Sequence, residues 1–249
     1  EPAPAAPAIV VPPPRWSTPA AEDAIAAVPD VLPLALGAPV AIPAPRESAG
    51  SDAVPFAGAS AHLAALLDLI AARAGAAIAD GWHTGRISAD AADHHPFERE
   101  VLALSGAAGA HAAAQVADAR ALLVERADGI AARVRATLAA GTPLPFVELG
   151  REYALSPLAL QIFVAVLAPS ARGEIARLYR ILGNESGRPA CDETLVAILL
   201  GGERDAIARE LAAHAPLVCH GLVRRDRATG ALDVDPVLVA RLRGQPAVL

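Results

Sequence analysis

Residues 222–236 read LVRRDRATGALDVDP. Two short apolar stretches, Leu222-Val223 and Leu232-Asp233-Val234, flank Arg227-Ala228-Thr229-Gly230, a turn-forming quartet, so the segment reads as a tight β-hairpin. Asp235-Pro236 follows directly and reads as the start of a last helix. That last helix should end near Gly244.

Upstream the elements are short, helical and closely punctuated. Pro145 to Tyr153 reads as a short helix. Ser156-Pro157 opens another, which buries Leu160, Phe163, Val164 and Leu167 and should stop at Pro169. Ile175, Leu178, Tyr179 and Leu182 share one face of the next, closed by Gly183-Asn184. Asp192 caps a helix carrying Leu195, Ile198 and Leu199 up to Gly201-Gly202, and Glu203 to Ala213 forms one more. Several short helices followed by one hairpin match the winged-helix arrangement, a helix-turn-helix variant with a β-wing.

Before residue 143 the pattern differs. Residues 1–55 hold 13 of the 22 prolines, which fix φ and remove amide donors, so residues 1–57 should be an extended Pro/Ala-rich tether. Its Val31, Leu32, Leu34, Leu36 and Ile42 suit either a plain linker or a strand laid in a groove. From Ser60 the period becomes helical. Leu63, Leu66, Leu67, Ile70 and Ile78 line one face of a helix to about Asp80, broken by Gly81 and Gly85. A second helical region follows Pro96. The longest stripe, Val116, Leu123, Ile130, Val134 and Leu138, ends at Gly141-Thr142-Pro143, and its other faces carry Asp118, Arg120, Glu125, Arg126, Asp128, Arg133 and Arg135. The expected organisation is therefore mainly α: a tether (1–57), a helical hairpin or bundle (58–142) and a winged-helix-like domain (143–249) with one short β-hairpin.

Composition excludes several chemistries. All 21 basic residues are arginine. A phosphate-binding loop of the Gly-x-x-x-x-Gly-Lys type and lysine Schiff-base catalysis are thus both ruled out. Residues 1–144 carry 9 Arg against 15 acids and residues 145–249 carry 12 of each, so neither half has the basic excess expected of a phosphate binder. Cys191 and Cys219 fit no metal or redox spacing and suit a reducing compartment. No uninterrupted apolar run of membrane-span length is evident, nor a signal peptide, and a cytoplasmic location is expected.

Candidate sites are few. Asp90, Asp93, His94 and His95, with His83 nearby, could ligate a metal but lack ligand spacing, and read as a solvated loop. Glu98, Glu100 and Glu193 sit where helix dipoles favour acids. Ser105-Gly106 and Ser186-Gly187 lack a nucleophile elbow. Cys219-His220, adjacent on an extended stretch, would face opposite sides. Arg224, Arg225 and Arg227 on the wing, with Arg241 and Arg243, form the candidate partner-binding set. The helix that would enter a DNA groove, Glu203 to Ala213, sets Glu203, Asp205 and Glu210 against Arg204 and Arg209, which favours a protein partner over nucleic acid.

The series Leu155-Ser156-Pro157, the apolar helix to Ala168-Pro169, Ile175 to Tyr179, Pro189 with Leu195 to Leu200, Gly221-Leu222, and Leu232-Asp233-Val234-Asp235 up to Leu242-Arg243-Gly244 resembles the winged-helix region upstream of the ATPase core in a family of bacterial AAA+ ATPases. Some members are encoded with contractile injection systems. Leu158-Ala159 stand where that family often has a glutamate. The resemblance implies a non-catalytic docking module that recruits a protein partner or substrate for a homo-oligomeric parent. That parent would bind ATP and Mg²⁺ in a core beyond Leu249, with no cofactor or metal held by these 249 residues. The reading from another class is a DNA-binding winged-helix regulator, and the third is a small enzyme.

Overall fold

The computed structural model describes residues 53–87, 97–105, 113–183 and 191–245, with the side chains of 113–120 also outside the description. Among the described residues three helices come first: α1 (Ala59–His83), α2 (Glu98–Ser105) and α3 (Ala113–Ala139). Seven short ones follow, namely α4 (Pro145–Glu152), α5 (Pro157–Ala171), α6 (Gly173–Gly183), α7 (Glu193–Leu200), α8 (Arg204–Glu210), α9 (Pro216–Cys219) and, after the hairpin β1 (Arg224–Arg225) and β2 (Leu232–Asp233), α10 (Pro236–Leu242). The chain is mainly helical with one small two-stranded antiparallel sheet, Arg224 opposite Asp233 and Arg225 opposite Leu232. The Leu232 N–H also donates to the Cys191 carbonyl, 2.9 Å, fastening the wing to the segment that leads into α7.

Local chemistry explains the helix starts. The Ser156 hydroxyl accepts from the Ala159 N–H (3.0 Å), Asp192 from Leu195 (2.7 Å) and Asp235 from Val237 (2.9 Å), each satisfying a donor that the first turn leaves without a helical acceptor. Gly201 closes α7 in the left-handed conformation at φ 61°, giving the turn of a helix-turn-helix into α8.

α5 is the axis of the back half. Ala159 to Ala168 are all buried, as expected of a helix covered on every side. α5 packs against α1, α6, α7, α8, α10 and β2, and α1 in turn packs on α2, α3, α6 and α7. One continuous core results, from Phe56 to Leu242, and it runs through residue 142, where element length changes. Its seam is a row of rings: Phe56 tilts on His62 (centroids 5.1 Å), His62 meets the Phe146 edge (5.9 Å), and Phe146 stacks on Phe163 (6.3 Å). α1 is long and apolar enough to cross a membrane by composition, yet 67% of its most apolar stretch is buried inside the molecule; a core helix has the same signature.

Three sequence expectations are corrected. Gly81 does not end α1, which runs on to His83. A Cβ at Gly81 would come within 2.6 Å of Arg86 Nη2 and 2.8 Å of Ile87 Cδ1, so this glycine admits the returning loop rather than breaking the helix. Pro169 does not end α5, which continues to Ala171. Proline removes the N–H that would bond the Ala165 carbonyl, and the buried Tyr179 hydroxyl donates to that carbonyl instead, at 2.8 Å. The helix expected over Glu203 to Ala213 is shorter, ending at Glu210.

Candidate functional site

The five arginines proposed for partner binding sit on or beside the wing and α10, and the fold has already engaged four of them. Arg224 on β1 pairs with Asp235, whose other carboxylate oxygen caps α10. The backbone N–H of Val237, and then Arg224, hold the Asp235 carboxyl below the usual range. Arg225 Nη2 lies 2.5 Å from Glu193 Oε2 at the start of α7. Arg241 Nη2 reaches Glu152 Oε2 on α4 at 2.6 Å. Arg243 Nη2 donates to the Ala171 carbonyl at the end of α5, 3.0 Å, while its own carbonyl accepts from the Ser60 hydroxyl, 2.9 Å. The wing base is thus strapped to α7 and α10, and α10 to α4 and α5. These contacts are partly exposed, so each contributes little to stability, but Arg224, Arg225 and Arg241 each have a carboxylate beside the cation, while Arg243 meets a neutral carbonyl.

Arg227 is different. It is exposed at the wing tip and makes no ion pair or hydrogen bond with the described residues. The tip is preshaped: the Asp226 carboxylate accepts from the Ala228 N–H (2.7 Å) and the Thr229 N–H (3.1 Å), which hold its pKa down, and Gly230 takes φ 74°.

α8 is short, and its charges balance. Glu210 is tied to Ser156 Oγ at 2.5 Å, which leaves Glu203 and Asp205 against Arg204 and Arg209 on the exposed face. At seven residues, about 10 Å long, it offers little length to a groove. Cys219 ends α9 rather than lying on a strand, and its neighbour His220 packs its ring on Tyr153, 5.0 Å between centroids. Cys191 is buried, which pushes its thiol well up and makes it a packing residue.

Asp90, Asp93, His94 and His95 lie outside the described residues, as do Ser186 and Gly187; His83 is exposed at the end of α1. Among the described residues no group of three or more His, Cys, Asp and Glu side chains could hold a metal ion. Glu100 is accounted for structurally: Arg177 grips it with two bonds, Nε to Oε1 at 2.8 Å and Nη2 to Oε2 at 3.0 Å, tying α2 to α6 and lowering the Glu100 pKa.

A second feature was not singled out in the sequence. A cavity of about 570 Å³ opens between α1, α2 and α3, lined among others by Leu69, Ile130, Gly129, Arg126, Arg133 and Arg172. Arg172 is paired with Asp68. The available signal was the seven-residue spacing of Arg126 and Arg133, which puts both on one face of α3.

No curated protein and no solved structure matches the chain. Residues 44–241 match the family model described as winged helix domain, variant. The match takes in the helix-turn-helix of α7 and α8, the β1–β2 wing and the helices α1 to α6 that precede them, and on it the chain belongs to the winged helix domain (variant) family.

Proposed function

We propose that this chain is a non-catalytic protein-docking region of a AAA+ ATPase, presenting partners or substrates to an ATPase core. The observation that carries the choice of partner is the state of the wing arginines. Of Arg224, Arg225, Arg227, Arg241 and Arg243, only Arg227 is uncommitted among the described residues. A DNA-binding winged helix needs several free cations, because each neutralised phosphate supplies a share of the affinity. Here a phosphate contact by Arg224, Arg225 or Arg241 would first break an internal ion pair. A protein partner needs no such excess: one arginine at a fixed tip, able to grip a carboxylate bidentately, beside a charge-balanced helix, suits a polar protein surface.

The link to an ATPase rests on the resemblance carried by residues 145–244. In this reading ATP and Mg²⁺ belong to the parent's core, since the chain has no lysine for a phosphate loop; the parent is a cytoplasmic homo-oligomer, and the partner is the target on which it acts. The test is made in such a parent. Removing residues 44–245 should abolish partner recruitment and leave basal ATP hydrolysis in place. Hydrolysis by the isolated chain, or recruitment that survives the deletion, contradicts the proposal.

A further inference from the structure

The groove between α1, α2 and α3 carries charge of the opposite sign to the chain. Its walls are held from outside. A Cβ at Gly75 of α1 would clash with the Ser105 side chain, so the backbone of α1 and the end of α2 lie close together there. Arg177 ties α2 to α6 through Glu100, and Arg172 and Asp68, both in the lining, are already paired. Two further cations in the lining are not. Arg126 is half-buried and makes no ion pair or hydrogen bond with the described residues. Arg133 is fixed in place: its Nε donates to the Val54 carbonyl at 3.0 Å, and its guanidinium carbon lies 4.0 Å from the Phe56 ring centroid. Its Nη1 and Nη2 have no partner among the described residues. A guanidinium held by its base and its face offers those outer nitrogens with little ordering entropy left to lose. In a chain of net charge −6, a lining with three arginines against the one carboxylate of Asp68 among the described residues calls for an anionic occupant, and the guanidinium fork suits carboxylates.

The spacing says what would carry the carboxylates. Arg126 and Arg133 stand one heptad apart on α3, about 10 Å along its axis, with Gly129 and Ile130 between them on the same face. Glycine is a poor helix former, and a Cβ at Gly129 would meet nothing within 4 Å. It leaves a notch in the α3 wall where another backbone can come close. Leu69 on α1 and Leu104 on α2 line the other walls. A second α-helix covers the same about 10 Å in seven residues and returns to the same face, with the third and fourth places of that heptad lying between the ends. An extended strand covers it in about three residues, which turns its two end side chains to opposite sides. Two carboxylates on one side at this distance therefore belong to a helix.

We propose that the groove docks an amphipathic helix of a partner protein, with acidic side chains seven residues apart on Arg126 and Arg133 and an apolar side chain between them, over Gly129 and against Leu69, Leu104 and Ile130. The inference rests on the reading of the chain as a protein-docking region, and it adds a contact surface on the front helices to the one at the wing. This is recognition of a helix in a groove, in which apolar contact supplies affinity and the flanking charges set register.

A selection on the full chain tests this. The probe is a displayed library of Ala/Gln-based helical peptides of about 18 residues, long enough to be helical, randomised at four places, i, i+3, i+4 and i+7. Expected is enrichment of Asp or Glu at i and i+7 and of Leu, Ile, Met or Phe between them. A synthetic copy of the most enriched peptide should lose about tenfold in affinity on Arg126→Ala, and as much on Gly129→Leu, which fills the notch without touching charge. Arg227→Ala should leave its affinity unchanged. Repeating the selection on Arg126→Glu should turn one end of the motif to Lys or Arg, a reversal that a merely structural role for Arg126 would not produce and that only a folded variant can give. No enrichment of the spaced acids overturns the proposal, and so does affinity that survives both Arg126→Ala and Gly129→Leu. Binding lost with Arg227→Ala instead would move docking to the wing, overturning the groove while the proposed function stands. Peptide binding at the groove in a chain whose deletion from the parent leaves recruitment intact would do the reverse.

Discussion

The front and back of the molecule treat their charges in opposite ways. In the back half, α4 to α10, Arg224, Arg225 and Arg241 meet carboxylates on another element and Arg243 meets a helix end. Ser156, Asp192 and Asp235 each close a helix start. In the front half Arg73 is 2% exposed, its buried Nε and Nη1 without a hydrogen bond among the described residues, and Arg126 lines an open groove without a partner among the described residues. Burial holds the Arg73 pKa down at about 10. A module strapped to itself keeps its shape and presents a fixed surface, from which Arg227 projects without an ion pair or hydrogen bond among the described residues.

This contrast breaks first if the halves do not share a core. Phe163 is fully buried in α5 and stacks on Phe146, two rings from His62 on α1. Phe163→Ala should cost about 3–5 kcal/mol. In a Trp16→Phe background, the unfolding midpoint reported by Trp82 on α1 should fall together with that from circular dichroism. A Trp82 transition that stays put would show two independent units.

The ring row also gives a pH dependence. Burial, with Arg133 nearby adding to it, lowers the His62 pKa from 6.5 to about 4. The folded pKa is the depressed one, so the unfolded chain binds more protons between these values. Stability is complete above about pH 6.5 and declines as pH falls toward 4, by something of order 3 kcal/mol. Urea midpoints across this range should show the decline, and His62→Phe should remove most of it. A flat profile in the unmodified protein would place His62 in water.

Arg73 offers a smaller effect of opposite sign. An unpaired buried cation is a net cost, so Arg73→Met should raise stability by about 1–3 kcal/mol. A loss of that size would show that the guanidinium has an anionic partner in the folded chain.

How much of this was legible in the sequence follows from the range of each interaction. Ser156-Pro157, Asp192 and Asp235-Pro236 were readable because a cap is made within three residues. The winged-helix order was readable for the same reason, as short helices with local stops ahead of a hairpin. Pro169 misled because Tyr179, on the next helix, supplies the missing bond, and Gly81 misled because what it admits is a loop folding back. The arginine set was found by residue type and position, but its commitments to Glu193 and Glu152, 32 and 89 residues away, are tertiary facts. The groove was half visible: Arg126 and Arg133 share a face by spacing, while Arg172 reaches the same place from across the fold.

The central claim is that the wing and α8 dock protein and not nucleic acid, and a salt titration tests it most directly. The affinity of the chain for a mixed-sequence duplex is followed by fluorescence anisotropy from low to physiological salt. With Arg227 the one wing cation uncommitted among the described residues, binding should stay at or below the non-specific range of about 10⁻⁴–10⁻⁶ M. The slope of log affinity on log salt should be near −1 or shallower. Arg224→Ala with Arg225→Ala should leave both unchanged. Tight binding with a slope of about −4 or steeper, flattened by that double substitution, would contradict the account and make the chain a DNA-binding regulator.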